Sequence, residues 1–428
     1  MSEFKRHRLA DLYEISSGIS TTKDQAGHGA PFVAFKDIYN NYFIPERLTE
    51  LMDTTPEQQE KFSVRKGDVF LTRTSETLDE LAMSSVALQD HPNATFSGFA
   101  KRLRPRDPSN PDPRFMGFFL RSEYFRRIIN SVTTMTTRAS FNEAIFSHVE
   151  VDLPDLDSQV QIGDLLHSIE QQIELNNQVN DNLQAMLQTL YGYWFLQFDF
   201  PDENGRPYRS SGGRMVWNDQ LKREIPAGWR VASLVSNPLC EPLKPGVAPF
   251  SEKTYLATAD VVGTTIKDGS RIRYETREGR ANMEPVLHSV WFAKMKGSVK
   301  HLFLNEACAS LISETILSTG FVGLKCEPVA FEYIASFIAS EQFEPLKDLH
   351  AHGATQQAVN NTDLENILLP IPHAETLRRF SQLASSTLSR FNASIVENKR
   401  LQELRDWLLP MLMNGQATVA SSDKLSFT

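Results

Sequence analysis

Cysteine is scarce here: Cys240, Cys308 and Cys326 are the only three in 428 residues, and no two form a CxxC pair. An odd, sparse count argues against a disulfide framework and fits buried free thiols in a reducing cytosol. Long apolar runs are missing too. None approaches the roughly 18–20 residues that cross a bilayer, and the opening MSEFKRHRLADLYEISSG lacks the apolar stretch of a secretory signal. The expectation is a cytoplasmic chain with no membrane partner.

The signatures of a self-sufficient enzyme are also absent. There is no GxxxxGK[ST] phosphate loop, no HExxH zinc pair and no GxSxG elbow. The Asn/Asp-Pro-Pro-Tyr/Phe tetrapeptide of amino-methyltransferases does not occur. Asp112-Pro113-Arg114-Phe115 is only superficially similar and sits in a proline-rich stretch, RPRDPSNPDPR. Glu-Pro-Leu-Lys occurs at 241–244 and 344–347, with no acidic residue at nuclease spacing before either. His350 and His352 form an HxH pair with no third ligand type clustered nearby, which reads as a loop or DNA contact rather than a metal site. No catalytic residue, metal ligand or cofactor is therefore expected on this chain. A self-contained nuclease or methyltransferase is the weakest reading, and a binding or scaffold component the strongest.

Positive charge is missing from one long interval: no Lys or Arg occurs between Ala139 and Gly205. Residues 153–200 carry five Asp and two Glu, so most of the net −9 resides there. On either side lie locally basic segments. Residues 101–138 hold nine basic and three acidic side chains, and residues 267–300 hold eight and four. Local potential, not total charge, steers a polyanion.

What is present is a repeat. LQAMLQTL (183–190) returns 218 residues later as LQELRDWL (401–408). At the same offset FFLRSEYF (118–125) faces SFIASEQF (336–343), and Asn142 faces Asn360. DLP (152–154) faces LLP (368–370), FSVRKGDV (62–69) faces FAKMKGSV (292–299), and SGF (97–99) faces TGF (319–321). The drifting offset fits a duplication with loops of unequal length. The fold expected is mixed α/β (α+β): two tandem globular domains separated by two long helices, paired as an antiparallel coiled coil with pseudo-two-fold symmetry. The boundaries expected are 1–152 for the first globular domain, 153–200 for a central helix, 201–368 for the second domain, 369–416 for a C-terminal helix and 417–428 for an uninformative tail.

Counting threes and fours from Leu166 gives Leu166, Ile169, Ile173, Asn176, Asn180, Leu183, Leu187, Leu190 and Trp194, a heptad seam interrupted by two asparagines. At about 1.5 Å per residue it runs for roughly 42 Å. The second helix gives a poorer seam of Leu377, Phe380, Ala384, Thr387, Phe391, Ser394, Asn398, Leu401, Arg405 and Leu408. Asparagine in a seam fixes register at a cost in stability; the alternative is that these asparagines face solvent on ordinary amphipathic helices. The aromatic cluster Tyr191, Tyr193, Trp194, Phe195, Phe198 and Phe200 reads equally as an anchor for a partner or as the closure between helix and second domain.

LPDLDSQVQIGDLLHSIEQQIELNNQVNDNLQAMLQTLYGYWF, from Leu153, resembles the central spacer of the specificity subunit of type I DNA restriction-modification enzymes. LRDWLLPMLMNGQ, from Leu404, resembles the C-terminal spacer, and KGDVFLTRTS (66–75) the strand-and-loop signature of the target recognition domains. The resemblance covers nearly the whole chain. The second half departs from the pattern, with Ser298 aligned to the Gly-Asp aspartate and HLFLN aligned to LTRTS. The resemblance implies one half of a split, asymmetric DNA site per recognition domain, with the helices as a ruler for the gap. It implies as partners double-stranded DNA, two copies of an adenine-N6 methyltransferase subunit and motor-nuclease subunits, which carry the catalysis and the S-adenosylmethionine, ATP and magnesium. The rival is a coiled-coil adaptor for proteins only, which predicts no salt-dependent binding to duplex DNA.

Within that frame the basic residues expected at DNA are Lys36, Arg73, Lys101, Arg102, Arg104 and Arg138 in the first domain, and Lys267, Arg271, Arg273, Lys294, Lys296 and Lys300 in the second. Most would touch phosphate, which positions without reading sequence. Thr74, Ser75, Thr137, Gln356 and Gln357 are the polar candidates for base edges.

Overall fold

Leu9 and Leu234 begin the two halves of the chain in the same way. Each follows a short strand (Lys5–Arg8 and Arg230–Ser233) that pairs antiparallel with the strand at the Leu-Pro element, Glu150–Leu153 in the first half and Leu368–Ile371 in the second. Leu9 N donates to Val149 O at 3.0 Å, and Leu234 N to Ile367 O at 2.8 Å. In this computed structural model the chain divides into two units, Met1–Gln172 with Gln402–Thr428, and Ile173–Leu401. The structure describes residues 4–75, 80–132, 139–267, 269–354 and 356–419.

The first unit is built on an antiparallel sheet in the order Tyr13–Ser17, Ala100–Pro105, Val69–Thr72, Ser84–Val86. The second unit has the same sheet in the same order: Cys240–Pro242, Phe321–Cys326, Ser289–Ala293, His301–Leu304. Val69–Thr72 and Ser289–Ala293 are short apolar runs buried on both faces, as an inner strand requires. A second sheet in each unit is organised around one parallel pair, Ala26–Val33 with Thr95–Phe96 and Lys253–Leu256 with Thr315–Ser318. Local details repeat as well. Ser122 Oγ donates to Phe119 O and Ser340 Oγ to Phe337 O, both at 2.6 Å. Asn142 and Asn360 each cap a short helix by accepting a backbone N–H three residues on, at 3.0 Å.

The strand register corrects three of the sequence alignments. Val69 pairs with Leu103 as Val290 pairs with Leu324, so Asp68 corresponds to Ser289 and not to Ser298. The counterpart of LTRTS is Phe292–Lys296, whereas HLFLN belongs to the next strand, whose position in the first unit Ser84–Val86 holds. Ser97, not the SGF triplet as aligned, matches Ser318: each hydroxyl accepts the N–H two residues on, at 3.2 and 3.1 Å. The cause is turn chemistry. Gly67 and His288 stand at the equivalent turn with φ of +87° and +53°, while Gly297 at +69° makes a different, hairpin turn. Lys-Gly occurs at two unrelated left-handed turns, at 66–67 and 296–297, so it is a poor marker of register.

Two long helices, Leu156–Tyr191 and Ala374–Met413, contribute to both units. Within the second unit Asn176 meets Asn398 and Trp194 meets Phe380, with ring centroids 5.5 Å apart, so the helices run antiparallel there. Within the first unit Arg405 pairs with Glu170, and Leu412 and Met413 join the core that holds Ile162 and Leu166.

Candidate nucleic-acid interface and the paired helices

The residues singled out around LTRTS converge on one small feature. Thr74–Ser75 leaves the inner strand and pairs antiparallel with Ala139–Ser140. Arg73, just before it, is exposed, and its backbone is bonded on both sides: its N–H donates to Phe99 O and its carbonyl accepts from Phe141 N, each at 2.8 Å. The second unit has the counterpart. Lys294 N donates to Gly320 O at 2.9 Å, Lys294 O accepts from Val359 N at 3.0 Å, and Met295 bridges to Ala358. Lys296 N donates to Gln357 O at 2.9 Å, and Lys296, Gln356 and Gln357 are exposed together. Each unit therefore carries a short ribbon at which the backbones of two distant chain segments pair. Thr137 and Arg138 immediately precede the Ala139–Ser140 strand but lie outside the described residues.

Lys294 is half-buried and lines a cavity of about 320 Å³ with Met283, Phe321, Asn360 and Thr362. Burial pushes its ammonium below the usual lysine range, so a nearby anion would stabilise it. Lys267, Arg271 and Arg273 are exposed, and Lys36 is exposed in an ion pair with Glu50.

Four expected DNA contacts are instead turned inward. Lys101 (6% exposed) donates to Ser17 Oγ at 2.8 Å. Arg102 (8%) donates to Ser63 O at 2.6 Å, and burial lowers its pKa. Arg104 forms a two-pronged pair with the fully buried Asp68, at 2.8 and 2.6 Å. Lys300 is half-buried and donates to Thr258 O. The first three lie on Ala100–Pro105, which has a neighbour strand on each side. A cation on an inner strand survives only by binding protein groups. Nothing in the run KRLR distinguishes this from a solvated basic patch.

Along the first helix Leu166, Ile169, Ile173, Asn176, Asn180 and Leu187 are buried, and Leu183 and Leu190 are partly so. On the second, Leu377, Phe380, Ala384, Phe391, Ser394 and Asn398 are buried, while Leu401 and Leu408 are partly covered. Asn176 Nδ2 donates to Asn398 Oδ1 (2.9 Å) and Glu397 Oε2 (3.1 Å), and Asn398 Nδ2 donates to Asn177 Oδ1 (2.9 Å). Asn176 and Asn398 thus face one another rather than solvent, and Asn180 is buried. Leu388, Asn392, Ile395 and Val396 are also buried and escaped the seam count. The second helix packs on the globular part of its unit as well as on the first helix: Asn392 donates to Asn305 at 2.9 Å and Phe391 lies against Phe303. A helix covered on two sides has no single stripe to read. Replacing Asn398 by alanine should cost about 1–3 kcal/mol, because it removes two hydrogen bonds, one with the buried Asn176 and one with the part-buried Asn177. Leucine at both 176 and 398 should restore stability while loosening register. Urea unfolding monitored by tryptophan fluorescence checks both, since Trp194, Trp217, Trp229 and Trp291 all lie in the second unit.

The aromatic cluster closes the second unit. Tyr191, Trp194, Phe195, Phe198 and Phe200 are buried among Trp229, Tyr333 and Phe380, and of the six only Tyr193, at 37%, is exposed. Among the described residues no three His, Cys, Asp or Glu side chains gather as a metal site, and no helix is long and apolar enough to cross a membrane.

Residues 1–185 match the family model described as the type I restriction modification DNA specificity domain. The chain is 22% identical to the type I restriction enzyme HindI specificity subunit of Haemophilus influenzae, over 97% of this chain and 100% of that one. It is likewise 22% identical to the type I restriction enzyme MjaIX specificity subunit of Methanocaldococcus jannaschii, over 96% and 93%. Its fold is similar to the crystal structure of a type I restriction-modification S subunit from M. genitalium, with a TM-score of 0.54 at 12% identity over 96% of each chain.

Proposed function

We propose that the chain is a specificity subunit of a type I restriction-modification enzyme, like the proteins it is similar to, and that it reads a bipartite, asymmetric duplex target, one half with each unit. As a specificity subunit it is non-catalytic. It directs adenine-N6 methylation, and restriction, by partner subunits: two copies of a methyltransferase subunit and the motor-nuclease subunits, which would carry S-adenosylmethionine, ATP and magnesium.

The observation that carries this reading is the ribbon present once in each unit at the same point of the same sheet. The scaffold is shared while the side chains differ: Arg73, Thr74 and Ser75 in one, Lys294, Met295 and Lys296 in the other. Equal frames with unequal side chains are what two different half-sites call for. Arg73, Lys296, Gln356 and Gln357 are the contacts assigned to base edges, where a good bidentate pair is worth about 1–3 kcal/mol of discrimination. Lys36, Lys267, Arg271 and Arg273 are assigned to phosphate. Each phosphate neutralised adds about 0.9 to the slope of log affinity against log salt.

The test is to coexpress the chain with a type I methyltransferase subunit from the same genome and purify the complex. N6-methyladenine is then mapped on a plasmid by single-molecule sequencing. A split motif with a fixed gap, methylated on both strands, is the expected result. A stable complex that methylates no motif would sink sequence readout, and a complex without salt-dependent duplex binding would favour the protein-only adaptor.

A further inference from the structure

Beneath the second ribbon lies a set of charges for which the matching positions of the first unit carry other side chains. Lys347, on the helix Phe343–Leu349, is wholly buried. Its ammonium donates to the carbonyls of Ala293 and Ser298, both at 3.2 Å, the two residues that bracket Lys294–Gly297. It is ion-paired with Glu344 one turn earlier, and Glu344 Oε1 lies 2.8 Å from His301 Nε2 on the adjoining strand. Asp348 accepts the Gly297 N–H at 3.0–3.1 Å. Lys347 and Asp348 thus grip one turn from below, and the ion pair to Glu344 and His301 braces Lys347.

The fold itself does not demand a lysine at this place: in the first unit a different cation, Arg126, donates to the Leu81 carbonyl. By strand register Ser84 holds the place of His301. Counting from the matched serines Ser122 and Ser340, Arg126 holds that of Glu344, and Ile129 that of Lys347. Ile129 is fully buried, so an apolar side chain satisfies the same packing. Burying an ammonium and a carboxylate is costly even when they are paired. What the lysine does, and isoleucine cannot, is hold two carbonyls of the turn that carries Lys294 and Lys296.

We infer that Lys347, braced by Glu344 and His301, is a positioning residue for DNA readout: it fixes the Lys294–Gly297 turn in the shape that presents Lys294 and Lys296, without touching DNA. This rests on the reading of the two ribbons as half-site readers. It makes recognition by the second unit depend on a buried ion pair.

The test uses the complex with its methyltransferase and three duplexes: the methylated motif, and the motif scrambled in one half or in the other. Lys347→Met and the double variant Glu344→Gln/Lys347→Met are compared with wild type. The double variant leaves no unpaired buried charge on the helix and guards against loss of fold, which hydrogen exchange of Ser289–Ala293 and His301–Leu304 monitors. The expected result is discrimination reduced about tenfold or more at one half-site, unchanged at the other, with protection retained. The weakened half-site should be the one weakened by Lys296→Ala. Wild-type discrimination at both half-sites in a folded variant overturns the inference, and so does an equal loss at both. A wild-type complex that discriminates at neither half-site overturns the bipartite reading itself, and this inference with it.

Discussion

Replacing Arg104 by methionine should destabilise the first unit by about 3–5 kcal/mol, because it leaves a buried carboxylate without its cation. Asp68 is completely buried, and besides Arg104 it accepts the Arg65 N–H at 2.8 Å, closing the turn that leads into Val69–Thr72. The guanidinium supplies two further bonds and also reaches Ser63 O at 3.0 Å. Removing both charges should be far milder. The double variant Asp68→Ser/Arg104→Met is expected to recover most of the loss, since the second unit already lives without the pair. Its equivalents are Ser289, which accepts from Trp291 Nε1 at 2.8 Å, and the exposed Lys325. Hydrogen exchange of Val69–Thr72 and Ala100–Pro105 gives a local readout. A single variant with wild-type protection would mean that Arg104 is free for DNA after all.

Phe195→Ala should cost the second unit about 3–5 kcal/mol, the usual price of deleting a buried phenyl ring. Phe195 is 1% exposed, with ring centroids 4.5 Å from Tyr333 and 4.8 Å from Phe380. It ties the end of the first long helix to a globular helix and to the second long helix at once. Tyr193→Ala, two residues away on the exposed side, should stay within about 0.5 kcal/mol. Denaturant midpoints by tryptophan fluorescence separate the two. Were the cluster an anchor for a partner, Phe195→Ala would spare stability and weaken assembly instead.

The two variants mark where one-dimensional reading stops. Arg104 and Lys101 look like any basic run, and their burial follows from a strand order that joins Ala100–Pro105 to Tyr13–Ser17 and Val69–Thr72. Asn142 and Asn360, by contrast, could be matched from sequence because a cap is local: the side chain bonds a backbone N–H three residues away. The heptad seam of the first helix was legible for the same reason. The second helix hid Leu388, Ile395 and Val396 because it packs on two neighbours. Ser289 could not be matched to Asp68 by eye, since a left-handed turn accepts histidine at 288 as well as glycine at 67.

By itself the sequence determined the duplication, the two long helices with their polar seam positions and the family resemblance. These rest on periodicity, caps and repeated words, all expressed within a few turns or strands of the chain. Only the tertiary structure decided which basic residues face outward and which strands are equivalent. It also decided that Lys347 lies under the second ribbon. Those depend on pairing between segments tens to hundreds of residues apart, and a charged side chain is free or committed according to what that pairing places beside it.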